Sequence, residues 1–270
     1  MTGAPPDAVR DKGEMPFLDH LEELRWRLLK GLIALVVGIG AGYALVTNVD
    51  LIAFLKRPID PLLPPGQKLN FLSPMEPFFI TLKLALAIGL VVALPVLLYQ
   101  AWAFLRPALY KNERRVVVPV VFSGVLLFVV GAAAGFYLVL PFALPVLLGF
   151  ATQSLQPMIT ASAYFNLTIA IVLAFGAVFE IPLLMFTLIY MRIVSAAFLR
   201  RNRRTFVIIN AIASALLTPG DLVVMTLITM LPVQVFYEFS ILMALVMERR
   251  RARAEEDDAV ASGVTAAGGA

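Results

Sequence analysis

Long apolar runs alternate with short polar ones along this chain. From Val116 to Phe179 there is no Asp, Glu, Lys or Arg. Gly31–Val49 is equally free of charge, Phe78–Leu105 carries only Lys83 and Arg-free apolar sequence around it, and Leu222–Val246 carries only Glu238. A helix needs about 20 apolar residues to cross hydrocarbon, so such runs predict membrane spans. We place spans over Gly31–Val49, Phe78–Leu105, Val116–Phe150 and Ala163–Met191, then a short run over Thr205–Leu217 and a last one over Leu222–Val246. Pro95 predicts a kink in the second span. Pro119, Pro141 and Pro145 predict that the third is tilted or broken and protrudes beyond the membrane. Gly38 with Gly42, and Gly131 with Gly135, offer small-xxx-small faces for close helix contact. Lys83, near the outer end of its span, is expected to snorkel to the interface.

The polar segments carry the topology. Asp50–Pro77 contains Pro58, Pro61, Pro64, Pro65, Pro74 and Pro77, and such a segment cannot cross lipid; it predicts a cap outside the membrane with short helices. Cations cluster at 10–30, 106–115, 192–204 and 249–253, whereas the loops between hold only Lys56, Arg57 and Lys68. Positive residues mark the cytoplasmic side. Six crossings put all four clusters there, although Thr205–Leu217 is short for a span. Four spans with a re-entrant final hairpin also satisfy the charges. We favour an all-α, polytopic membrane bundle of six transmembrane helices, the last two short, with both termini cytoplasmic.

Met15–Lys30 differs from the spans. Phe17, Leu21, Leu24 and Leu28 recur at helical spacing, with Asp19, Glu23 and Arg27 on another face, as in an interfacial amphipathic helix. The chain then divides into a polar, disordered tail over 1–14, a membrane domain over 15–247, and a charged, then Ala/Gly-rich, disordered tail over 248–270.

Composition narrows the chemistry. Of 270 residues, 60% are hydrophobic and 15% charged, with a mean hydropathy of +0.89. That leaves no room for a soluble catalytic domain. Cysteine is absent and His20 is the single histidine, which excludes disulfides and thiol catalysis and argues against a metal centre. No Walker-type glycine loop is present, so nucleotide hydrolysis is not expected, and no cofactor is implied. The net charge of +4 is explained by the cation clusters as topology, not as nucleic-acid binding.

Leu94–Arg115 reads LPVLLYQAWAFLRPALYKNERR. Pro107 stops the incoming helix, and Asn112 is a suitable N-cap that places Glu113 in the next helix's first turn. On composition alone, this is an interfacial turn with belt aromatics and helix-end charges. Its wording, however, resembles the first cytoplasmic loop of the TatC family, the multispanning receptor subunit of twin-arginine protein translocases. His20–Arg25, HLEELR, resembles that family's amino-terminal motif and maps onto Glu23 and Arg25. FEIP at Phe179–Pro182 and LLTPGD at Leu216–Asp221 match as well, so the resemblance covers roughly Pro16–Met247.

The resemblance implies a core subunit of the Tat export system in a prokaryotic cytoplasmic (inner) membrane. It would bind twin-arginine signal peptides of folded proteins, nucleate the translocase with TatA- and TatB-type single-span subunits, associate with itself, and use the proton-motive force. Carboxylates suit guanidiniums through bidentate, charge-assisted bonds. The implied signal-peptide contacts are Glu23, Arg25, Phe104 and Glu113. The bland alternative for Glu23 is an ordinary i,i+4 pair with Arg27. Glu180 is an acid within a span, hence a candidate for partner docking, although intramembrane acids also pair with neighbouring helices. Gln100, Thr218 and Met225 are grouped with it; some family members carry a polar residue where this chain has Met225. Pro58, Pro95 and Asp221 are read as structural. An alternative reading is a proton-coupled secondary transporter or channel using Glu180, which would require an internal repeat with paired broken helices. A purely structural scaffold is the third. No enzymatic activity is expected.

Overall fold

A computed structural model describes residues 17–64, 66–105, 117–149, 158–217 and 223–267. The described residues form helices α1 (Phe17–Asn48), α2 (Leu51–Lys56), α3 (Glu76–Leu105), α4 (Val117–Ala134), α5 (Leu140–Leu148), α6 (Ala161–Phe179), α7 (Ile181–Tyr190), α8 (Ala196–Arg201), α9 (Arg203–Leu217) and α10 (Val223–Ala267). Among the described residues, five stretches are long and apolar enough to cross a membrane: Leu21–Asn48, Glu76–Phe104, Val118–Leu148, Ala161–Tyr190 and Thr226–Ala254. Helix α9 is not among them. Its 15 residues reach about 22 Å at 1.5 Å per residue, short of a hydrocarbon core of about 30 Å.

Two expectations are corrected here. Only α9 of the last two helices is short; α10 is 45 residues long. It continues through 248–267, where a disordered tail was expected. That segment is rich in Arg, Glu and Ala, which favour helix and can form i,i+4 pairs.

The main seams are antiparallel and built on small residues. A Cβ added to Gly89 of α3 would lie 2.6 Å from the backbone N and Cα of Ile39, and Gly38 and Gly42 face Gly89 and Ala85 even more closely. Lipid is as apolar as leucine, so close backbone approach substitutes here for a hydrophobic drive. Along α4, Gly131 meets Phe179 and Gly135 meets Ile171 and Phe175 of α6, while Gly176 of α6 receives the Phe128 ring. Between α4 and α5 lies a π-turn, Gly135–Val139. Pro141 has no N–H for the preceding turn and would clash with its carbonyl, and the wider turn accommodates it. The expected break in the third span is therefore a turn change inside a continuous helical stretch.

The proline-rich segment forms the expected cap at one end. Ile59, Tyr164 and Leu140 are fully buried in its core with Phe136, Leu144 and Leu84. Phe54 of α2 stacks on Phe136 at 5.3 Å, and the Tyr164 hydroxyl donates to the Leu55 carbonyl at 2.6 Å. Pro58 is half-buried in the turn between α2 and the 3-10 turn Asp60–Leu62, where Lys56 pairs with Asp60 at 3.0 Å. Asn70 bridges the two cap loops: its N–H donates to Ile159 O at 3.4 Å and its carbonyl accepts from Ala161 N–H at 2.7 Å. Lys83 is exposed, and its ammonium donates to Asn166 Oδ1, near the cap end of α6, at 2.8 Å.

At the opposite, basic end, α10 grips the chain leaving α7. Arg251 donates to the Tyr190 carbonyl at 2.8 Å and to that of Ile189 at 3.4 Å, satisfying acceptors at the end of α7. Glu248 Oε1 accepts from Ala196 N–H at 2.8 Å, at the start of α8, and the Tyr237 hydroxyl donates to Leu199 O at 2.7 Å.

Candidate functional site

The α1–α3 seam opens toward the basic end. Where Gly38, Gly42, Ala85 and Gly89 meet, the backbones touch. Past Gly31, whose Cβ position lies 3.2 Å from Leu97 Cδ2, larger side chains take over and the helices leave a groove of about 490 Å³. Leu24, Arg27 and Leu28 line one wall and Leu97, Gln100 and Phe104 the other. Trp102, buried with Val120, Leu183 and Phe186, fixes this end of α3 against α4 and α7. The wall that presents Phe104 is thereby held from behind.

Glu23 is half-buried on α1, one helical turn before Arg27. Its Oε1 accepts from Arg27 Nε at 2.9 Å and from Nη2 in a shorter contact. The i,i+4 pair expected from the sequence is therefore formed, and it sits at the groove's mouth. Arg25 is exposed. Pro95 lies within α3, which continues through it to Leu105. Gln100, grouped from sequence with Glu180, instead shares the groove with Phe104. It is Leu98 that points toward Gly124, beside Glu180. Glu113, Thr218 and Asp221 lie outside the described residues, as does the side chain of Met225.

Glu180 occupies the junction of α6 and α7. Pro182 cannot donate to the preceding turn, so α6 ends at Phe179 and α7 begins at Ile181. The Glu180 N–H donates instead to Ala177 O at 3.1 Å. Its Oε1 is buried with no hydrogen-bond partner among the described residues, and Oε2 lies 3.3 Å from where a Cβ on Gly124 would be. The glycine makes room for the carboxyl, and the broken backbone and the buried acid coincide.

A further polar set was not anticipated. Arg203 of α9 pairs with Glu238 of α10 at 2.7 Å, and Gln234 donates to the same oxygen at 3.2 Å. Asn210 donates to Met230 O at 3.0 Å and accepts from Ser214 at 3.2 Å, while Phe206 stacks on Tyr237 at 3.7 Å. These contacts set α9 antiparallel to α10. The only signal in the sequence was Glu238, the single acid in its apolar run; nothing marked Arg203 among the neighbouring arginines as its partner. Among the described residues, no three His, Asp or Glu side chains gather as metal ligands would.

A bundle of long apolar helices with a broken span at a partly buried acid and a groove at its basic end defines a multi-pass membrane protein. A family model described as Sec-independent protein translocase protein (TatC) matches residues 19–232. The TatC of Koribacter versatilis (strain Ellin345) is 40% identical over 250 residues, 91% of each chain. The TatC of Escherichia coli (strain K12) is 36% identical over 227 residues, 84% of this chain and 86% of its own. A solved structure of the twin-arginine translocase receptor TatC, in DDM, superposes with a TM-score of 0.74 at 34% identity, covering 83% of this chain and 99% of that one. The chain belongs to the TatC family: it is a component of protein transport, like the translocase proteins it resembles.

Proposed function

We propose that this chain is the receptor subunit of a twin-arginine translocase in a prokaryotic cytoplasmic membrane. It binds twin-arginine signal peptides at its basic end and nucleates assembly with TatA- and TatB-type single-span partners. The observation that carries this reading is the α1–α3 groove, with Glu23 at its mouth and Phe104 in its wall. A carboxylate beside an apolar groove suits a guanidinium followed by apolar residues. Glu23 already holds Arg27, so an incoming arginine exchanges partners. The exchange trades one guanidinium–carboxylate contact for another, and an i,i+4 pair contributes only about 0.3–0.5 kcal/mol, so displacing Arg27 costs little. Glu113 would supply the second carboxylate, and Arg25 would stand on the same amphipathic helix.

Six crossings with cytoplasmic termini belong to this reading. Support comes from Arg251 meeting the end of α7, which puts the ends of α7 and α10 at one face, and from the antiparallel α9–α10 pair. A thinned bilayer would let α9 cross. Glu180, whose Oε1 is buried at a helix break, is the docking point for a partner's transmembrane helix, and Thr218 and Met225 are grouped with it.

The test is photo-crosslinking of a twin-arginine peptide, and of its Lys-Lys version, to the purified protein. The twin-arginine peptide is expected to crosslink at the groove, and both the Lys-Lys version and the Glu23→Ala variant are expected to lose most of that yield. Equal yields in all three would overturn the assignment.

A further inference from the structure

The cap carries an apolar edge that its own core does not use. Phe71 and Leu72 are 61% and 70% exposed, and Met75, Phe78 and Phe79 follow them as exposed residues. Met158, exposed too, stands across the Asn70–Thr160 bridge on the second cap loop. An apolar patch of this density does not face water in a stable protein. Its direction is given by α3. Met75, Phe79, Leu82 and Leu86 are exposed at steps of three and four residues, while Ile80, Leu84 and Ala87 on the other face are buried. That stripe runs down the lipid-facing side of a membrane-length helix. Phe71 and Leu72 prolong it beyond the start of the helix, so the medium that covers the stripe also covers them.

The backbone is compatible with that cover. Asn70 N–H donates to Ile159 O, Leu72 N–H to Glu76 Oε1 at 3.2 Å, Met75 N–H to Ser73 Oγ at 3.3 Å and Glu76 N–H to Ser73 O at 3.0 Å. Pro74 and Pro77 have no N–H to satisfy. Bonds of this kind cap helices in water as well, and at the bilayer surface, where unmet donors are costly, they let the turn enter. Met75 and Leu72 are thus held on a turn whose donors are largely spent within it.

We propose that the 70–79 turn, with Met158, is an interfacial anchor that inserts the cap's edge into the headgroup and acyl boundary of the leaflet beneath it. Its ligand is the lipid surface itself. Phe71 and Leu72 enter the boundary, and the bridge through Asn70 transmits that seat to both cap loops. The depth at which the bundle rides is then set at the cap by the turn as well as by the spans. A second copy of the chain is the competing occupant of the same edge, and the continuity of the patch with a lipid-facing stripe favours lipid.

The chain lacks cysteine, so a single Leu72→Cys substitution accepts one spin label in the full-length protein. Gln67→Cys, at an exposed position in the same cap, is the reference, and Phe71→Cys replaces Leu72→Cys if that variant does not insert. In liposomes of phosphatidylethanolamine and phosphatidylglycerol, the label at 72 is expected to collide with oxygen severalfold more effectively than with a water-soluble nickel chelate. The label at 67 is expected to show the reverse. Nickel access at 72 equal to that at 67 places the edge in water and overturns the proposal. Low access to both reagents at 72 also overturns it; dipolar broadening that vanishes on dilution with unlabelled protein would identify a second copy as the cover.

Discussion

The α1–α3 seam makes a quantitative prediction through Gly89. A Cβ there would sit 2.6 Å from Ile39 N and Cα and 2.8 Å from Gly38 C. Ordinary contact begins near 3.4 Å, so α1 and α3 must part by something approaching an ångström, and the obstructing atoms are backbone that cannot rotate away. Overpacking of this kind costs about 1–3 kcal/mol. A gap of about 0.5–1 Å also forfeits a quarter to a half of the dispersion well along the parted surfaces, which places Gly89→Ala toward the upper end. Gly40→Ala is the internal reference, because its Cβ would meet nothing within 4 Å. There the substitution gains helix propensity, about 1 kcal/mol in water. Gly176→Ala falls between, since its obstacle is the Phe128 ring, a side chain with somewhere to turn. Thermal unfolding in detergent is the assay, with about 2–4 °C lost per kcal/mol for a chain of this size. Gly89→Ala is expected to lose several degrees and Gly40→Ala none. Equal melting of the two would refute the claim that backbone contact at Gly89 holds the seam. Because the groove begins where the seam ends, Gly89→Ala is also expected to weaken peptide crosslinking at Phe104.

Three further outcomes are expected. In Glu180→Gln, export of a twin-arginine reporter per inserted molecule is largely retained, and in Glu180→Ala it falls further, because Gln keeps the shape and hydrogen-bonding capacity at a partner-docking point; full normalised activity of the Ala variant would sink docking, and equal loss in both would point to proton carriage. Arg251→Ala strands the Tyr190 carbonyl, while that of Ile189 keeps the Arg192 N–H, at a cost of up to about 1.5–3 kcal/mol for a bond to a charged group, and speeds tryptic cleavage after Arg192 severalfold; cleavage at the wild-type rate would show the grip to be idle. A reporter fused after Arg253 that is active only on the cytoplasmic side supports six crossings, and activity only on the far side would refute them.

Much of the architecture was legible because membranes constrain it so strongly. The apolar runs located the long helices, and the Gly38–Gly42 and Gly131–Gly135 spacings identified faces that the structure uses. What spacing could not give was the partner: nothing in the first span names Ala85 and Gly89 as its counterpart. Lys83 illustrates the same gap, since snorkelling is a local expectation and Asn166 is 83 residues away. Pro182 follows Glu180 closely in a run read as one span, and both the break beside it and the room made by Gly124 required the third dimension. Arg251 and Glu248 read as charges that mark a face, and their donor and acceptor roles depend on where α7 ends. Glu23 and Phe104 were nominated through a resemblance, and only the converging walls of α1 and α3 supply the groove between them.

The π-turn at Gly135–Val139 can be read as a change of phase. Along α4, burial falls at Val120, Gly124, Phe128, Gly131 and Gly135, the beat of an ordinary helix packed on α6. Carried onward, that beat would turn Leu138 and Phe142 inward. Instead it is struck twice, at Gly135 and Phe136, and resumes at Leu140 and Leu144, all within the cap core. Leu138 and Phe142, 70% and 52% exposed, are swung out to line a second groove with Phe175, Phe179, Leu231 and Pro232. One extra residue thus lets a single rod keep two appointments, with α6 below and with the cap above. Deleting Gly135 would leave every hydrophobic side chain in the sequence and send the wrong set to the cap.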